Sequence, residues 1–349
     1  MAEPITLTVA RRLSVAPMMA CTDRHARYLM RLISRRTLLY TEMVSTGALL
    51  HGDAARHLAR APQEQPVALQ LGGNEPGAMA QSAALGNRAG YDEINMNVGC
   101  PSPRVKAGCF GAALMAEPDL VARCVAAMRT DSDVPVTVKT RIGIDDLDSY
   151  SRLRHFIETV AAAGCQTFII HARKAWLNGL SPRENREIPP LRYDVVDRLC
   201  EDYPELGFVL NGGIASLAEA AAHIDRVGAA MIGRAAYASP YLLAEADGRV
   251  HGAPGAPPDR AEVVRAYHAY ARDAFAKGVP LPPLMKPLLG LFHGVDGARH
   301  WRRELSQGTY TAKATPDLFI RALERVECVQ SNVRDWRDER VSGKSQRGA

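Results

Sequence analysis

Eight short runs of residues that favour β-strands alternate with helix-forming segments over the first 235 residues of this chain. Strands that alternate with helices pair in parallel, and near-continuous apolar runs such as "TFII" are typical of strands covered on both faces. Eight such units predict an α/β fold, a closed (β/α)8 TIM barrel. The first run is not followed by G-x-G-x-x-G, which disfavours an open dinucleotide-binding sheet. The runs occupy residues 13–18, 38–44, 67–73, 93–100, 136–143, 167–173, 208–214 and 229–235.

Residues 247–260 concentrate glycine and proline, and beyond them the apolar spacing is helical. We therefore predict a barrel domain over residues 1–247, a small all-helical domain over 248–340 and a disordered tail over 341–349. Start signals for barrel helices are Asp23 before 24–34, Pro76 at 76–89, Pro118 at 118–129 and Ser216 before 217–224. The helices predicted after the boundary cover 261–278, 282–294, 297–306 and 316–333.

The net charge of +5 is concentrated in the C-terminal part of the 349-residue chain. Residues 1–250 contain 27 Lys and Arg and 27 Asp and Glu, whereas residues 251–349 contain 16 and 11. Such an excess is typical either of a solvated helical surface or of a surface that binds a polyanion. Charge alone does not decide between these two interpretations.

Neither the apolar runs nor the cysteines indicate a membrane protein or a metal site. The apolar runs are shorter than the roughly 18 residues that a membrane span needs. The N-terminus lacks the basic-then-apolar order of a secretory signal. The seven cysteines are scattered without a C-x-x-C pair, which argues against a disulfide framework or a zinc site. We therefore expect a cytoplasmic protein with no metal and no membrane contact.

Polar or glycine residues stand at the end of nearly every β-run, and in a TIM barrel the chemistry lies at the carboxyl ends of the strands. A single His or Lys in such a position is weak evidence, but eight coordinated positions indicate a functional site. The positions are Pro17-Met18-Met19, Glu42, Gln70, Asn97 with Cys100, Lys139 with Arg141, His171 with Arg173, Asn211-Gly212-Gly213 and Gly233-Arg234.

The last two positions match the phosphate site of TIM barrels, which lies after the seventh and eighth strands. Glycines let the backbone approach an anion, and Arg234 adds a charged fork. Gln70, Lys139 and His171 would then surround whatever is attached to the phosphate. Lys139 could instead form a Schiff base, as in barrel aldolases. That alternative leaves Cys100 and Gln70 without a role.

Cys100 lies directly before Pro101, at the end of the apolar run and not inside it, in a loop that also contains Gly99, Gly108 and Gly111. A cysteine with a purely structural role would be expected inside the apolar run. The position therefore suggests that the thiol has a chemical role.

Several motifs resemble tRNA-dihydrouridine synthase, specifically its A-type subfamily, over residues 11–325. "NVGCPS" and "HARKAW…NREIPPL" are specific, whereas "NGG" and "GR" are shared with many flavin barrels. One departure is Ala113, where the family pattern leads us to expect a cysteine and where this chain has Cys109 upstream instead. The matching segments are "APMM", "YTEMV", "ALQLGG", "YDEINMNVGCPS", "VTVKTRIG", "IHARKAWLNGLSPRENREIPPL", "NGGI" and "MIGRAAY".

The resemblance implies a flavin mononucleotide (FMN) barrel with a helical domain that binds tRNA. It also implies reduction of uridines 20 and 20a in the D-loop, with NADPH as the electron donor. By the resemblance, Pro17, Met18, Met19 and Gln70 line the isoalloxazine ring, and Lys139 and His171 contact it. Asn211, Gly212, Gly213, Gly233 and Arg234 hold the phosphate.

Reduction of the C5=C6 bond of uracil needs a hydride on C6 and a proton on C5. The hydride would come from reduced flavin, and the proton from an acid on the opposite face of the base. A thiol on a loop at a strand end can reach that face, so Cys100 is the candidate acid. Asn97 is expected to hold the flipped uridine.

The target base must leave the tRNA stack, which requires contacts to the surrounding phosphates. The candidates are Arg183 and Arg186 on the barrel, and Arg299 and Arg302 on the helical domain, with Arg303 beside them. We expect the protein to act as a monomer. Two alternatives stay open, which are a flavin barrel that acts on free pyrimidines and a non-catalytic RNA-binding protein.

Overall fold

The computed structural model describes residues 6–130, 132–311 and 314–345. Eight parallel strands form a closed barrel in sequence order, and β8 pairs with β1, which confirms the predicted TIM barrel. The strands are β1 (Leu13–Val15), β2 (Leu38–Ser45), β3 (Val67–Gly72), β4 (Glu93–Val98), β5 (Val136–Arg141), β6 (Thr167–His171), β7 (Gly207–Asn211) and β8 (Ala230–Ile232).

Most strands end before the predicted runs do, because the last residues of those runs already belong to loops at the carboxyl end of the barrel. We call this end the mouth and the opposite end the floor. The helices of this part are α1 (Leu7–Arg11), α2 (Arg24–Ile33), α3 (Thr46–His51), α4 (Ala54–His57), α5 (Pro76–Arg88), α6 (Pro103–Ala107), α7 (Pro118–Thr130), α8 (Tyr150–Ala162), α9 (Tyr193–Asp202), α10 (Leu217–Val227), α11 (Arg234–Ala238) and α12 (Ala246–Arg249). Short 3-10 turns lie at Pro62–Glu64, Gly111–Ala116, Glu184–Arg186 and Pro240–Leu243.

The predicted start signals are confirmed where the structure records a side-chain cap. The Asp23 carboxylate accepts a hydrogen bond from the amide of Ala26, and the Ser216 hydroxyl accepts one from the amide of Glu219. Pro76 is the first residue of α5, where its missing N–H costs no helical hydrogen bond.

The C-terminal helical region consists of α13 (Arg260–Ala276), α14 (Leu281–Met285), a 3-10 turn at Lys286–Gly290, α15 (Ala298–Gly308) and α16 (Leu318–Ser345). The helix predicted over 282–294 is broken, because Pro287 lacks the N–H that a continuous α-helix would need. The last helix, α16, extends into the predicted tail as far as Ser345, and residues 346–349 lie outside the described residues. Buried packing of Leu318, Phe319 and Val326 fixes the first turns, after which each added residue gains a backbone hydrogen bond at small cost.

Side chains alternate between the barrel interior and the surrounding helices with the period of two that a strand imposes. On β4, Ile94 and Met96 belong to the large core shared with the helices. Tyr40 and Met231 belong to a separate cluster inside the barrel. This alternation determines which strand-end residues share the interior.

The helical region packs against the barrel through aromatic contacts between α2 and α13. The rings of Tyr28 and Tyr270 stack at a centroid distance of 3.9 Å, and His25 Nδ1 lies 2.7 Å from the Tyr270 hydroxyl. Tyr267 is fully buried beneath them. No helix among the described residues has the length and apolar character of a membrane span.

Candidate active site

The strand-end residues predicted from the sequence lie at interior positions of neighbouring strands, near the mouth. Asn97 is paired with Lys139, and His171 is paired with Asn211. Gln70 lies opposite Asn95, which is two residues below Asn97 on β4. Parallel pairing of strands from distant parts of the sequence therefore brings these groups into one site.

Residues 99–111, which we call the Cys100 loop, are held at both ends. The amides of Gly99 and Cys100 donate to Asn97 Oδ1 at 3.1 and 3.0 Å, and the Cys100 carbonyl accepts from the amide of Ala112 at 2.9 Å. Cys100 itself is half-buried. Of the three glycines in the loop, only Gly111 adopts a positive φ, of 72°. The loop is therefore ordered by specific contacts.

Arg141 anchors the Cys100 loop from β5. Its Nε donates to the Gly99 carbonyl at 3.1 Å, and its Nη1 donates to the Asn185 carbonyl at 3.0 Å. Burial lowers the pKa of Arg141 to about 10 despite the neighbouring Cys100. The sequence placed this arginine at a strand end but gave it no role; its spacing of two residues from Lys139 was the available signal.

The carboxamides of Asn97 and Gln70 are largely occupied. Asn97 Nδ2 donates to Gln70 Oε1 at 2.8 Å, and Gln70 Nε2 donates to Asn95 Oδ1 at 2.8 Å. Asn97 also uses its carbonyl oxygen for the two loop amides. The structure therefore brings both residues to the site, but mainly as supports for each other and for the loop.

Lys139 and Asn211 form a polar link across the mouth. Lys139 Nζ donates to Asn211 Oδ1 at 2.8 Å, and Asn211 Nδ2 donates to the Met231 carbonyl at 2.8 Å. Burial and the charge of Arg141 lower the pKa of Lys139 to about 7. Burial, together with the charges of Arg141 and Lys139, holds the pKa of His171 well below its usual range. His171 is therefore neutral at pH 7.

Several arginines crowd the mouth and repel one another. Arg186 and Arg173 both disfavour the charged form of Arg141, and Arg234 disfavours that of Arg186. Arg234 forms an ion pair with Glu187 at 2.7 Å. The buried Nε of Arg173 has no hydrogen-bond partner within the described residues. A cluster with this excess of positive charge is suited to an anionic ligand.

The glycines after β7 adopt backbone conformations that disfavour a side chain. Gly212 and Gly213 have φ angles of 116° and 76°. A Cβ on Gly213 would lie 2.5 Å from Leu191 Cδ1, so Leu191 would have to shift to admit a side chain there. Beyond β8, a Cβ on Gly233 would meet only Ala16, at 4.0 Å. These backbones, with Arg234 and the free Nε of Arg173, fit a phosphate group.

The first strand-end loop, which contains Pro17, Met18 and Met19, is fastened from two sides. The Ala20 amide donates to the Glu42 carboxylate, and Lys286 Nζ donates to the Ala20 carbonyl at 2.6 Å. Met19 is 60% exposed. Lys286 comes from the helical region, so this region contributes directly to the mouth. No local pattern in the sequence indicated Lys286.

The arginines proposed for tRNA contact are exposed. Arg183 is 79% exposed and lies 3.5 Å from Glu187, and Arg186 is the last residue of the 3-10 turn that follows Arg183. Arg299 and Arg302 lie on α15, whose buried face carries Trp301 and Leu305. The structure therefore places one pair at the mouth and the other on the helical region. Within the described ranges, no group of three or more His, Cys, Asp and Glu is arranged to hold a metal.

A family model and individual proteins of known name both match most of this chain. Residues 14–333 match the family model described as "Dihydrouridine synthase (Dus)". Proteins named "tRNA-dihydrouridine(20/20a) synthase" are similar to this chain. The one from Escherichia coli (strain K12) is 54% identical over 316 residues, covering 90% of this chain and 91% of that protein. The one from Synechocystis sp. is 53% identical over 312 residues, covering 89% and 93%.

Among solved structures, a chain titled "2-Naphthoyl-CoA Reductase-2-Naphthoyl-CoA complex" gives a TM-score of 0.52 at 12% sequence identity. The match covers 67% of this chain and 49% of that chain. Similarity at this level of identity concerns the fold alone.

Proposed function

The chain belongs to the dihydrouridine synthase family, and we propose that it reduces the C5=C6 bond of uridines 20 and 20a in the D-loop of tRNA to 5,6-dihydrouridine. The observation that carries this proposal is the similarity over almost the whole length to relatives named for that reaction. Enzymes of this family are flavin-dependent oxidoreductases. We further propose that the protein acts as a monomer in the cytoplasm.

We propose FMN as the flavin. Its phosphate would be held by Gly212, Gly213, Gly233 and Arg234, with the free Nε of Arg173 as a further donor. Asn211 would act mainly by orienting Lys139, because its carboxamide is already bonded to Lys139 and Met231. When bound and reduced by NADPH, the flavin would supply the hydride for C6 of the uracil ring.

The residues around the ring would have distinct roles. Pro17, Met18, Met19 and Gln70 would line it, and Lys139 and His171 would contact it. A lysine whose pKa is lowered to about 7 gains a proton readily when a negative charge arrives beside it. A neutral His171 can donate or accept a hydrogen bond without adding to the positive charge of the mouth.

Cys100 would donate the proton to C5. The Asn97 carboxamide and Arg141 fix the loop that carries the thiol. Arg141 and Arg186 lie near Cys100, and a negative charge on Cys100 would favour their charged forms. Asn97 retains one amide hydrogen for the flipped uridine, while its carbonyl positions the loop.

Arginines at two places on the protein would contact the phosphates of the RNA. Arg183 and Arg186 lie at the mouth, where they meet the phosphates nearest the flipped base. Arg299 and Arg302 lie on α15 and meet more distant phosphates. Phosphate contacts supply much of the affinity for nucleic acid, whereas extraction of the base from its stack costs a few kcal/mol.

The proposal is tested by mass spectrometry of tRNA after incubation with the protein, FMN and NADPH. We expect a gain of two hydrogens at positions 20 and 20a and no reduction of free uracil. An unmodified tRNA, or reduction of uracil at a comparable rate, would contradict the proposed substrate.

A further inference from the structure

A continuous series of hydrogen bonds runs through the barrel interior from the floor to the Cys100 loop. At the floor, the Thr137 hydroxyl donates to Glu93 Oε1 at 2.6 Å. Asn95 Nδ2 donates to Thr137 Oγ1 at 2.8 Å. Above it, Gln70 and Asn97 continue the series to the amides of Gly99 and Cys100. Glu93, Thr137, Asn95 and Gln70 are each at most 1% exposed.

The direction of this series is fixed independently at its two ends. At the floor, a carboxylate can only accept, so the Thr137 hydroxyl must donate to Glu93 and must accept from Asn95. At the mouth, backbone amides can only donate, so Asn97 must turn its carbonyl oxygen towards the loop and its NH2 towards Gln70. Both requirements give the same orientation to every carboxamide between them.

Partners outside the series also donate hydrogen bonds to Glu93. Arg11 donates to Glu93 Oε2 from Nη2 at 2.6 Å and from Nε at 3.1 Å. The Tyr40 hydroxyl donates to Glu93 Oε1 at 2.5 Å. Together with the Thr137 hydroxyl, these groups bring four donor atoms to one fully buried carboxylate. A buried ion pair is weak evidence for stability, since apolar residues of similar volume often stabilise a core equally well.

We propose that Glu93 is a positioning residue: through Thr137, Asn95 and Gln70 it sets the orientation of Asn97, and thereby the place of the Cys100 loop. The catalytic part of this inference rests on the proposed function, in which Cys100 gives its proton to the substrate. The series itself does not depend on that function. It predicts that the loss of one hydrogen bond of the series near the floor makes the Cys100 loop less ordered.

The test uses three variants of the flavin-loaded, full-length protein. Thr137→Val removes the hydroxyl that connects Glu93 with Asn95, while the shape of the side chain is kept. Thr137→Ser keeps the hydroxyl and should restore wild-type behaviour. Tyr40→Phe removes a hydrogen bond to the same oxygen of Glu93 but leaves the series intact, so it is the matched control.

The first measurement is hydrogen–deuterium exchange of the Gly99 and Cys100 amides, resolved by fragmentation of their peptides. In Thr137→Val the Asn95, Gln70 and Asn97 carboxamides lose their fixed direction, so exchange at both amides should accelerate about tenfold. In Thr137→Ser and Tyr40→Phe it should stay at the wild-type rate. Equal exchange in Thr137→Val and Tyr40→Phe would overturn the proposal.

The second measurement separates positioning from general loss of structure. In Thr137→Val the oxidation of reduced flavin by tRNA should slow about tenfold to a hundredfold, because small misplacements of a reacting group have effects of this size. Flavin reduction by NADPH should stay close to wild type, because that half-reaction needs no proton at C5. Faster amide exchange combined with wild-type oxidation by tRNA would overturn the catalytic part of the proposal.

Two further results keep the two proposals distinguishable. If the wild-type protein forms no dihydrouridine, the proposed function fails, but the exchange measurement still decides whether the series holds the loop. If Thr137→Val does not fold, Asn95→Leu breaks the series one step higher and carries the same expectations. Wild-type exchange in Asn95→Leu would then overturn the proposal.

Discussion

The arginines at the floor of the barrel differ from those at its mouth in how completely their N–H groups are used. Arg31 donates to the backbone carbonyls of Ser34, Thr37, Glu64 and Pro66. At the mouth, the buried Nε of Arg173 has no partner within the described residues. The structure records no hydrogen bond or ion pair for the Arg186 side chain in the same part of the chain.

This difference indicates that the floor arginine contributes to stability, whereas the mouth arginines contribute to ligand binding. The Arg31 guanidinium, in which every nitrogen donates a hydrogen bond, holds the floor together. Unused donors among mutually repelling cations are costly until an anion arrives. It is also the division that TIM barrels show in general, with chemistry at the carboxyl end and stability at the amino end. The mouth is therefore built for ligands that carry negative charge.

The largest expected effect is at the mouth, in Cys100→Ala. Formation of dihydrouridine should fall by about 10²–10⁴-fold, the usual contribution of a general acid. Flavin content, tRNA binding and flavin reduction by NADPH should stay close to wild type, because none of them needs a proton at C5. The rates of flavin reduction and of flavin oxidation by tRNA are measured separately. A Cys109→Ala variant is the control, and wild-type oxidation in Cys100→Ala would transfer the acid role to another group.

The comparison between floor and mouth is tested directly by Arg31→Met and Arg186→Met. Arg31→Met leaves buried carbonyls without donors, so the free energy of unfolding should fall by about 3 kcal/mol while the activity of the folded protein is kept. Arg186→Met should leave the stability nearly unchanged and reduce the rate of tRNA modification about tenfold or more. Denaturant titration and single-turnover rates give the two quantities. A loss mainly of stability in both variants would contradict the proposed difference between the floor and the mouth.

A third prediction concerns the pH dependence of flavin binding through Lys139. Its pKa is lowered to about 7 in the protein without ligand, and a bound anion raises it. Between pH 7.5 and 9, binding should therefore take up as much as about one proton, and the affinity should fall as the pH rises. Calorimetry in buffers of different ionisation enthalpy measures this uptake. Lys139→Met should bind more weakly and without proton uptake; an uptake equal to wild type would assign it to another group.

The smallest effect is expected on the helical region. Arg299→Ala combined with Arg302→Ala should weaken tRNA binding and reduce the log–log slope of affinity against salt by about one unit per lost phosphate contact. Flavin content and NADPH oxidation should not change. Arg325→Ala is a suitable control, because Arg325 is already paired with Glu304 at 3.5 Å. An unchanged salt slope in the double variant would show that α15 does not contact the RNA.

Much of the barrel and the strand-end positions of the candidate site residues were predictable, because both follow from short-range patterns. The strand-end positions of Gln70, Lys139 and His171 needed only the alternation of runs and the polar residue at each exit. Their hydrogen-bond partners were not predictable. Asn211 was expected beside a phosphate, yet its carboxamide links Lys139 to Met231. The register of β5, β7 and β8 creates that contact, and no pattern within one strand contains it.

By itself, the sequence determined the parallel barrel, the identity of the strand-end residues and the glycines of the Cys100 loop. These properties depend on the local period of side chains and on backbone preferences. Tertiary structure alone decided that Glu93 is a buried carboxylate and not merely the first residue of a strand, because its partners Arg11 and Tyr40 come from other elements. It also lowered the pKa values of Lys139 and His171 and brought Lys286 to the mouth. Burial and Coulomb interactions depend on distances in space, which residues far apart in the sequence acquire only when the barrel closes.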